Sequence, residues 1–417
     1  MSEWKKVKLK DCCIKIGSGS TPKGGSTVYI DSGTSLIRSQ NVYNLSFDYD
    51  GLTHITDDAA KKLNGVTIFK DDILLNITGD SVARTCIVPD DVLPARVNQH
   101  VAIVRVDGKT MNSNYLSYYL ASPKMQAYML SLAVGKGASR NAMTKQMIEN
   151  FEVPCPPIET QIRIATILSR YDTLIENYQK QIKLLEEAAQ RLYKEWFVEF
   201  RFPGHENTKM VDGLPERWER KKAIDFFEMS IGKTPPRAEK QWFTDGKEGV
   251  PWVSISDMKD VTYLLQTSEG LTKEACEKHN VRIVDEGAVL LSFKLTVGRV
   301  SIAGMNVCTN EAIAHFNKNE DNWREYTLLY LRNYNFDTLG NTSGISKAVN
   351  STIVKNMPFL MPSEKVLDAF SNVEKPLFQK IKNLSFQIRL LTEARDRLLP
   401  KLMSGEMDVI LENYPAV

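Results

Sequence analysis

Two sets of polar and basic residues stand at strand ends and in the loops between them. The first is Lys23, Arg38, Gln40, Asn41, Arg84, Asn98, Gln99, Lys136, Ser139 and Arg140; the second is Lys233, Arg237, Ser256, Lys294, Arg299, Asn310, Ser346 and Lys347. Arg, Asn and Gln carry paired hydrogen-bonding groups that match base edges, and Lys neutralises phosphates. The chemistry these side chains offer is non-covalent reading of a polyanion. Arg84 and Arg299, at matched places, would serve equally well in a shared structural ion pair.

Covalent chemistry has no comparable support. The chain contains no HExxH, no GxSxG and no Gly-rich cofactor loop. The tetrad of Asn or Asp, two Pro and an aromatic that marks adenine methyltransferases is missing, because Pro235-Pro236 lacks both flanks. Gly17-Ser18-Gly19-Ser20 and Gly135-Lys136-Gly137 complete neither phosphate-loop pattern and read as flexible loops. His54, His100, His205, His279 and His315 have no metal spacing. Cys12, Cys13, Cys86, Cys155, Cys276 and Cys308 show no CxxC and read as free thiols of a cytoplasmic protein. The reading is a non-catalytic chain without metal or cofactor of its own.

The elements that would carry these residues occur twice. Gln181-Ile182-Lys183-Leu184-Leu185 with Glu187-Ala188 and Arg191-Leu192 returns as Gln387-Ile388-Arg389-Leu390-Leu391 with Glu393-Ala394 and Arg397-Leu398, at a constant offset of 206 residues. Fainter echoes keep their order: Ser20-Thr21-Pro22 and Lys233-Thr234-Pro235, Ile73 to Asn76 and Val289 to Ser292, Asn98 to Ala102 and Asn310 to Ala314, Gly137 to Arg140 and Gly344 to Lys347. The period far exceeds the 20–50 residues of solenoid repeats, so a whole domain-plus-helix unit is duplicated. Strand-like runs (Leu36-Ile37, Asp72 to Ile77, Thr85 to Val88, Val101 to Val106) precede a helical stretch from Asn114 to about Val134, which makes each globular unit α+β.

After Pro154, Pro156 and Pro157 comes a seam of apolar residues every seven positions. Leu168, Ile175, Ile182, Ala189 and Trp196 occupy a, and Tyr171, Tyr178, Leu185 and Leu192 occupy d. The second copy places Ile381, Ile388 and Leu402 at a, interrupted by Arg395, and Leu377, Leu384, Leu391 and Leu398 at d. Pro376 and Pro400 are expected to kink or cut this helix near its ends. Two seams of equal length predict an antiparallel coiled coil, and about 40 helical residues span roughly 60 Å. The expected architecture is α+β, two tandem-repeated α/β globular domains separated by two long helices, with pseudo-twofold symmetry. The divisions fall at 1–157, 158–200 (first helix), 201–217 (linker), 218–362, 363–404 (second helix) and 405–417 (tail).

At 417 residues with 42% hydrophobic and 25% charged side chains, the composition is that of a soluble protein. Trp4 to Lys8 leads into polar sequence without a signal-peptide core, and no apolar run approaches the roughly 20 residues of a membrane span. A net charge of +2 argues against a polybasic coat and leaves local patches on loops. Two similar modules on a rigid spacer suit two unlike DNA half-sites at a fixed separation. The loops from Ser20 to Ser35 and from Lys233 to Gly249 diverge while the frame repeats, as for different ligands on one scaffold.

The Thr-Pro loop, the Gly-Ala-Ser-Arg-Asn segment before a proline-ended strand, and Ile158-Glu159-Thr160-Gln161 heading a long helix resemble the specificity subunit of type I restriction–modification enzymes. Phe202-Pro203-Gly204-His205-Glu206 and Met210 to Pro215 before a Trp add to the resemblance, which covers essentially the whole chain. Glu364-Lys365-Val366 departs from the family's Glu-x-Gln-x-x-Ile opening of the second helix. The resemblance implies that each globular unit is a target recognition domain reading one half of a bipartite double-stranded DNA target. It also implies helices that dock two methyltransferase subunits, with S-adenosylmethionine held by that partner for adenine-N6 transfer, and restriction subunits using ATP and Mg. The alternative is a coiled-coil adaptor whose globular ends bind proteins; a third reading is a self-sufficient enzyme with a cryptic site.

Overall fold

The computed structural model describes residues 4–134, 141–339, 349–407 and 409. The chain forms two compact units, one made of Met1–Thr173 with Leu391–Val417 and the other of Leu174–Leu390. Each long helix is thus divided between them.

In the first unit the strands of the two larger sheets, in chain order, are β1 (Cys13–Ser18), β2 (Tyr29–Ile30), β3 (Thr34–Ile37), β4 (Thr53–Ile55), β5 (Thr67–Ile68), β6 (Ile73–Asn76), β7 (Thr85–Ile87), β8 (Ala95–Val97) and β9 (Val101–Val106). They form a four-stranded sheet in the order β7-β6-β9-β1 and a five-stranded sheet in the order β2-β4-β3-β8-β5. The second unit repeats the plan with β10 (Glu228–Ile231), β11 (Phe243–Asp245), β12 (Val250–Val253), β13 (Tyr263–Leu264), β14 (Glu269–Leu271), β15 (Val289–Ser292), β16 (Val300–Ala303), β17 (Cys308–Thr309) and β18 (Ile313–Asn317). Its sheets run β10-β18-β15-β16-β13 and β11-β14-β12-β17. The parallel pair β3/β8 recurs as β12/β17.

The continuous apolar runs of β6, β9, β15 and β18 follow from burial on both faces. Ile73, Leu75, Ala102 and Val104 feed one core of the first unit, while the alternate residues Leu74, Val101 and Ile103 feed another. In the second unit Val289, Leu291, Ala314 and Phe316 face one core, and Leu290 and Ile313 the other.

The helical stretch expected from Asn114 to Val134 is two helices, α1 (Ser113–Ala121) and α2 (Pro123–Ala133). Ser122 ends the first, its hydroxyl donating to the Tyr119 carbonyl at 2.6 Å, and caps the second by accepting the Met125 amide at 3.4 Å. Pro123 sits at the first helical position, where its missing N–H is no loss.

The long helices are α3 (Ile158–Tyr193), continued by a π-turn over Lys194–Val198, and α5 (Glu364–Ser404); α4 (Arg324–Asn333) lies between them in sequence. Within the first unit Ile164, Ala165 and Leu168, near the start of α3, share a core with Leu399, Leu402 and Met403 at the end of α5. Within the second, Ala189 and Tyr193 at the end of α3 share a core with Val366, Leu367, Phe370, Phe378 and Ile381 near the start of α5. The two helices therefore run antiparallel in each unit. Leu168, Ile175, Ile381 and Leu384 are buried, and Tyr171, Tyr178, Ile182, Leu185, Leu192, Leu377, Ile388, Leu391 and Leu398 half-buried. Phe378 and Leu399 are more buried than their seam neighbours Leu377 and Leu398. A helix that packs on a globular core as well as on another helix buries a wider stripe than a strict a/d seam.

Pro376 and Pro400 do not cut α5, which is helical across both. Each is exposed, as are Asn372 and Asp396 four residues earlier, whose carbonyls lose their helical donor at the proline. Arg395 is not a flaw in the seam: its Nη1 lies 2.6 Å from Asp172 of α3. Between the helices, Met210–Val211 pairs with Leu214–Pro215 across a tight turn in which Asp212 and Gly213 both have positive φ, as a two-residue hairpin requires.

Candidate nucleic-acid interface

The same backbone device presents the candidate loops in both units. At the end of β1 the Gly19 amide donates to Val101 and the Ser20 amide to Val97, both at 2.9 Å. A Cβ on Gly19 would fall 2.1 Å from the Val97 carbonyl oxygen, so only glycine permits this approach. In the second unit Gly232 takes the same place, its amide donating to Ile313 at 3.2 Å while the Lys233 amide donates to Thr309 at 2.9 Å. There a Cβ would lie 2.2 Å from the Asn310 carbonyl oxygen. Sequence reasoning missed this pair, although both glycines directly precede the echoed Ser-Thr-Pro and Lys-Thr-Pro.

Each Thr-Pro loop is then latched to the segment it crosses. The Thr21 hydroxyl donates to the Gln99 side-chain oxygen, and the Thr234 hydroxyl to the Glu311 carboxylate. Burial pushes the Glu311 carboxyl up, but the Thr234 hydroxyl, its own backbone amide, Lys294 and Arg237 together hold it below the usual range. Asn98 and Asn310 build the turn itself: their side-chain oxygens accept the amides of His100 at 3.1 Å and Ala312 at 3.0 Å.

Of the remaining candidates of the first unit, Arg38, Gln40 and Asn41 gather at one further place. Arg38 Nη2 and Gln40 Nε2 both donate to the Gly51 carbonyl, at 2.6 and 3.4 Å, which aligns the two side chains. Asn41 is buried scaffold, accepting the Arg38 amide at 3.0 Å and donating to the Asp48 carbonyl at 2.9 Å. Arg84 lies 4.5 Å over the Tyr43 ring. Lys23 is exposed. Lys136, Ser139, Arg140, Ser346 and Lys347 lie outside the described residues.

In the second unit Lys233 and Arg237 converge on Trp252. The Trp252 indole donates to the Lys233 carbonyl at 3.2 Å, and the Arg237 guanidinium stacks 4.5 Å over that ring and 4.4 Å over Phe243. Arg237 Nη1 also donates to both carboxylate oxygens of Glu269, at 2.8 and 2.9 Å, so its charge is already matched. Ser256 shares a 2.6 Å hydrogen bond with Ser254, and Arg299 donates to the Ile255 carbonyl at 2.7 Å. Arg84 and Arg299 are thus held by a ring and a carbonyl. Lys294 is exposed on the turn between β15 and β16.

Other titratable groups belong to the scaffold. His315 hydrogen-bonds to Ser230 at 2.8 Å and Thr309 at 2.7 Å, and burial lowers its pKa to about 4, which keeps it neutral. Buried Gln161 uses both ends of its amide: its oxygen accepts the Asn112 amide at 2.9 Å, and its nitrogen donates to Thr110 at 3.0 Å and Pro156 at 2.9 Å. It fastens the start of α3 to the first globular unit. Among the described residues no group of His, Cys, Asp or Glu converges as a metal site, and no helix is long and apolar enough to cross a membrane.

Comparison with known proteins agrees with this duplicated plan. The family model of the type I restriction modification DNA specificity domain matches twice, over residues 1–187 and 215–385. The chain is 27% identical to the type I restriction enzyme MjaIX specificity subunit of Methanocaldococcus jannaschii, covering 98% of this chain and 94% of that one. It is 23% identical to the HindI specificity subunit of Haemophilus influenzae, over 98% of this chain and 100% of that one. The crystal structure of the type I restriction-modification S subunit from M. genitalium shares the fold, with a TM-score of 0.56 at 13% identity over 96% of each chain. With two matches that together span most of its length, the chain belongs to the type I restriction modification DNA specificity family.

Proposed function

We propose that each globular unit reads one half of a bipartite double-stranded DNA sequence, through residues 1–157 and 218–362 respectively. The observation that carries this reading is one loop device with two sets of side chains. Gly19 and Gly232 seat equivalent loops on equivalent Asn turns, yet the first unit offers neutral Thr21 and Gln99 there, with Arg38 and Gln40 at a further place. The second offers Thr234 on Glu311, and Arg237 matched by Glu269. A seat repeated in both units with different polar groups suits different base sequences presented in the same way. Lys23, Gln99, Lys233 and Lys294, exposed around these seats, suit phosphates and base edges.

The helices, over 158–200 and 363–404, set the number of unread bases between the halves and dock two methyltransferase subunits. Exposed Leu174, Leu184, Phe386 and Leu390 on α3 and α5 give an apolar surface for such a partner. S-adenosylmethionine for adenine-N6 transfer belongs to that partner, and ATP and Mg to restriction subunits that join for cleavage. Residues 201–217 serve as linker and 405–417 as tail, and the assembly works in the cytoplasm.

The test is to express the chain with its methyltransferase subunit and map adenine methylation across the host genome. A split motif that disappears when this chain is omitted is expected. With both proteins soluble and associated, the lack of any chain-dependent motif would favour a protein-binding adaptor instead.

A further inference from the structure

The turn between β15 and β16 holds an aliphatic side chain where nothing in the free protein rewards it. Leu295 is 97% exposed, and its backbone φ is 60°, in the left-handed region that residues with a Cβ enter at an energetic cost. The turn is tied down on both sides. Ser292 Oγ donates to the Thr296 carbonyl at 2.6 Å and accepts the Arg299 amide at 3.0 Å. The Gly298 amide donates to the Ser292 carbonyl at 2.9 Å, and the Arg299 guanidinium anchors the far side on Ile255 at 2.7 Å. Gly298, with φ of 93°, rests so close to Phe336 that a Cβ would meet the ring at 3.1 Å.

A leucine kept in water and in a strained conformation is repaid only in a complex. Its surroundings fit a polyanion: Lys294 is the preceding residue, and its charge is felt at Glu311 beneath the Thr-Pro loop. The matching turn of the first unit, between β6 and β7, carries Gly79-Asp80-Ser81 at its short helical tip, so the apolar tip belongs to one unit alone. An aliphatic group cannot hydrogen-bond to base edges. On DNA it can pack on the deoxyribose, which carries no sequence, or on apolar base surface, either a thymine methyl or the faces of an opened base step.

Resting on the DNA-reading function above, we propose that Leu295 is a base-contacting, specificity-determining residue of the second unit. The experiment uses the full chain assembled with its methyltransferase subunits. Affinity is measured for a duplex carrying the mapped split sequence and for one in which the half read by residues 218–362 is scrambled. Leu295→Ala and Leu295→Gly are expected to weaken binding to the mapped duplex about tenfold and to leave the scrambled duplex unchanged. Leu295→Gly should melt at or above the wild-type temperature, since glycine relieves the positive φ, which separates lost contact from lost folding. Deoxyuridine in place of thymidine should reproduce the loss if the contact is a methyl group. If the contact is an opened step, that replacement has no effect and 2-aminopurine placed there brightens. Unchanged affinity for the mapped duplex, or equal losses on both duplexes, would overturn the proposal. A wild-type assembly that does not distinguish the two duplexes would instead overturn the DNA-reading function, and this inference with it.

Discussion

Asp172 and Arg395 meet at 2.6 Å across 223 residues of sequence. The pair joins the two long helices inside the first unit, and the Tyr118 hydroxyl of α1 also donates to Asp172. Both side chains are largely buried, and Arg395 also reaches Asp396 at 2.9 Å, so removing Arg395 deprives buried Asp172 of its counter-charge. Arg395→Ala should therefore cost about 2–3 kcal/mol in urea unfolding. Replacing both, as Asp172→Leu with Arg395→Met, should recover most of that loss, because an apolar pair has no charge to desolvate. Additive losses in the double variant would show that the two sites act independently.

Glu374 of α5 gives the second unit a pH-dependent weakness. Its carboxyl is fully buried with neither oxygen hydrogen-bonded, and burial, reinforced by buried Glu325 of α4, raises its pKa to about 7. Glu325 is also raised by burial, against the opposing fields of Arg324 and Lys375. The folded state then holds a proton on Glu374 that the unfolded state releases near 4.5. Stability should be fullest below that value and fall, on the order of 3 kcal/mol, as pH rises to about 7. Glu374→Gln should flatten the dependence in unfolding midpoints measured from pH 4.5 to 8. An identical slope in the variant would rule this residue out as its source.

Ile182 and Leu185 pack against the main core of the second unit, and not only against another helix. Introducing Asp at both positions should therefore destabilise that unit by several kcal/mol. Amide exchange should rise throughout Leu174–Leu390 while the sheets of the first unit stay protected. Exchange confined to the helices would show that the seam is separable from the domain.

Much of the architecture was legible because duplicated residues carry it. The helix repeat and the strand runs at Leu36-Ile37, Asp72 to Ile77, Thr85 to Val88 and Val101 to Val106 needed only pattern and period. What escaped were features that depend on contact. Gly19 and Gly232 look like ordinary loop glycines until the strand they cross is placed beneath them. Arg395 reads as an error in a heptad until Asp172 is opposite it. Asn41 and Asn98 have the chemistry of base readers, but their oxygens are held by the backbone, which residue type alone does not reveal. Pro376 and Pro400 break helices by rule, yet both lie on an exposed face of a helix that runs on through them.

Binding to DNA should fall steeply with salt through release of counterions. Lys294→Ala should reduce the slope of log affinity against log salt by about one and weaken all sequences alike, as expected of a phosphate contact. A change in sequence preference with an unaltered slope would place Lys294 on a base instead.

The most direct test of the central claim exchanges residues 1–157 for the corresponding domain of a specificity subunit with a different target, then maps methylation with the partner subunits present. One half of the split motif should change to the donor's, while the other half stays the same. Simultaneous change or loss of both halves would contradict two independent reading units.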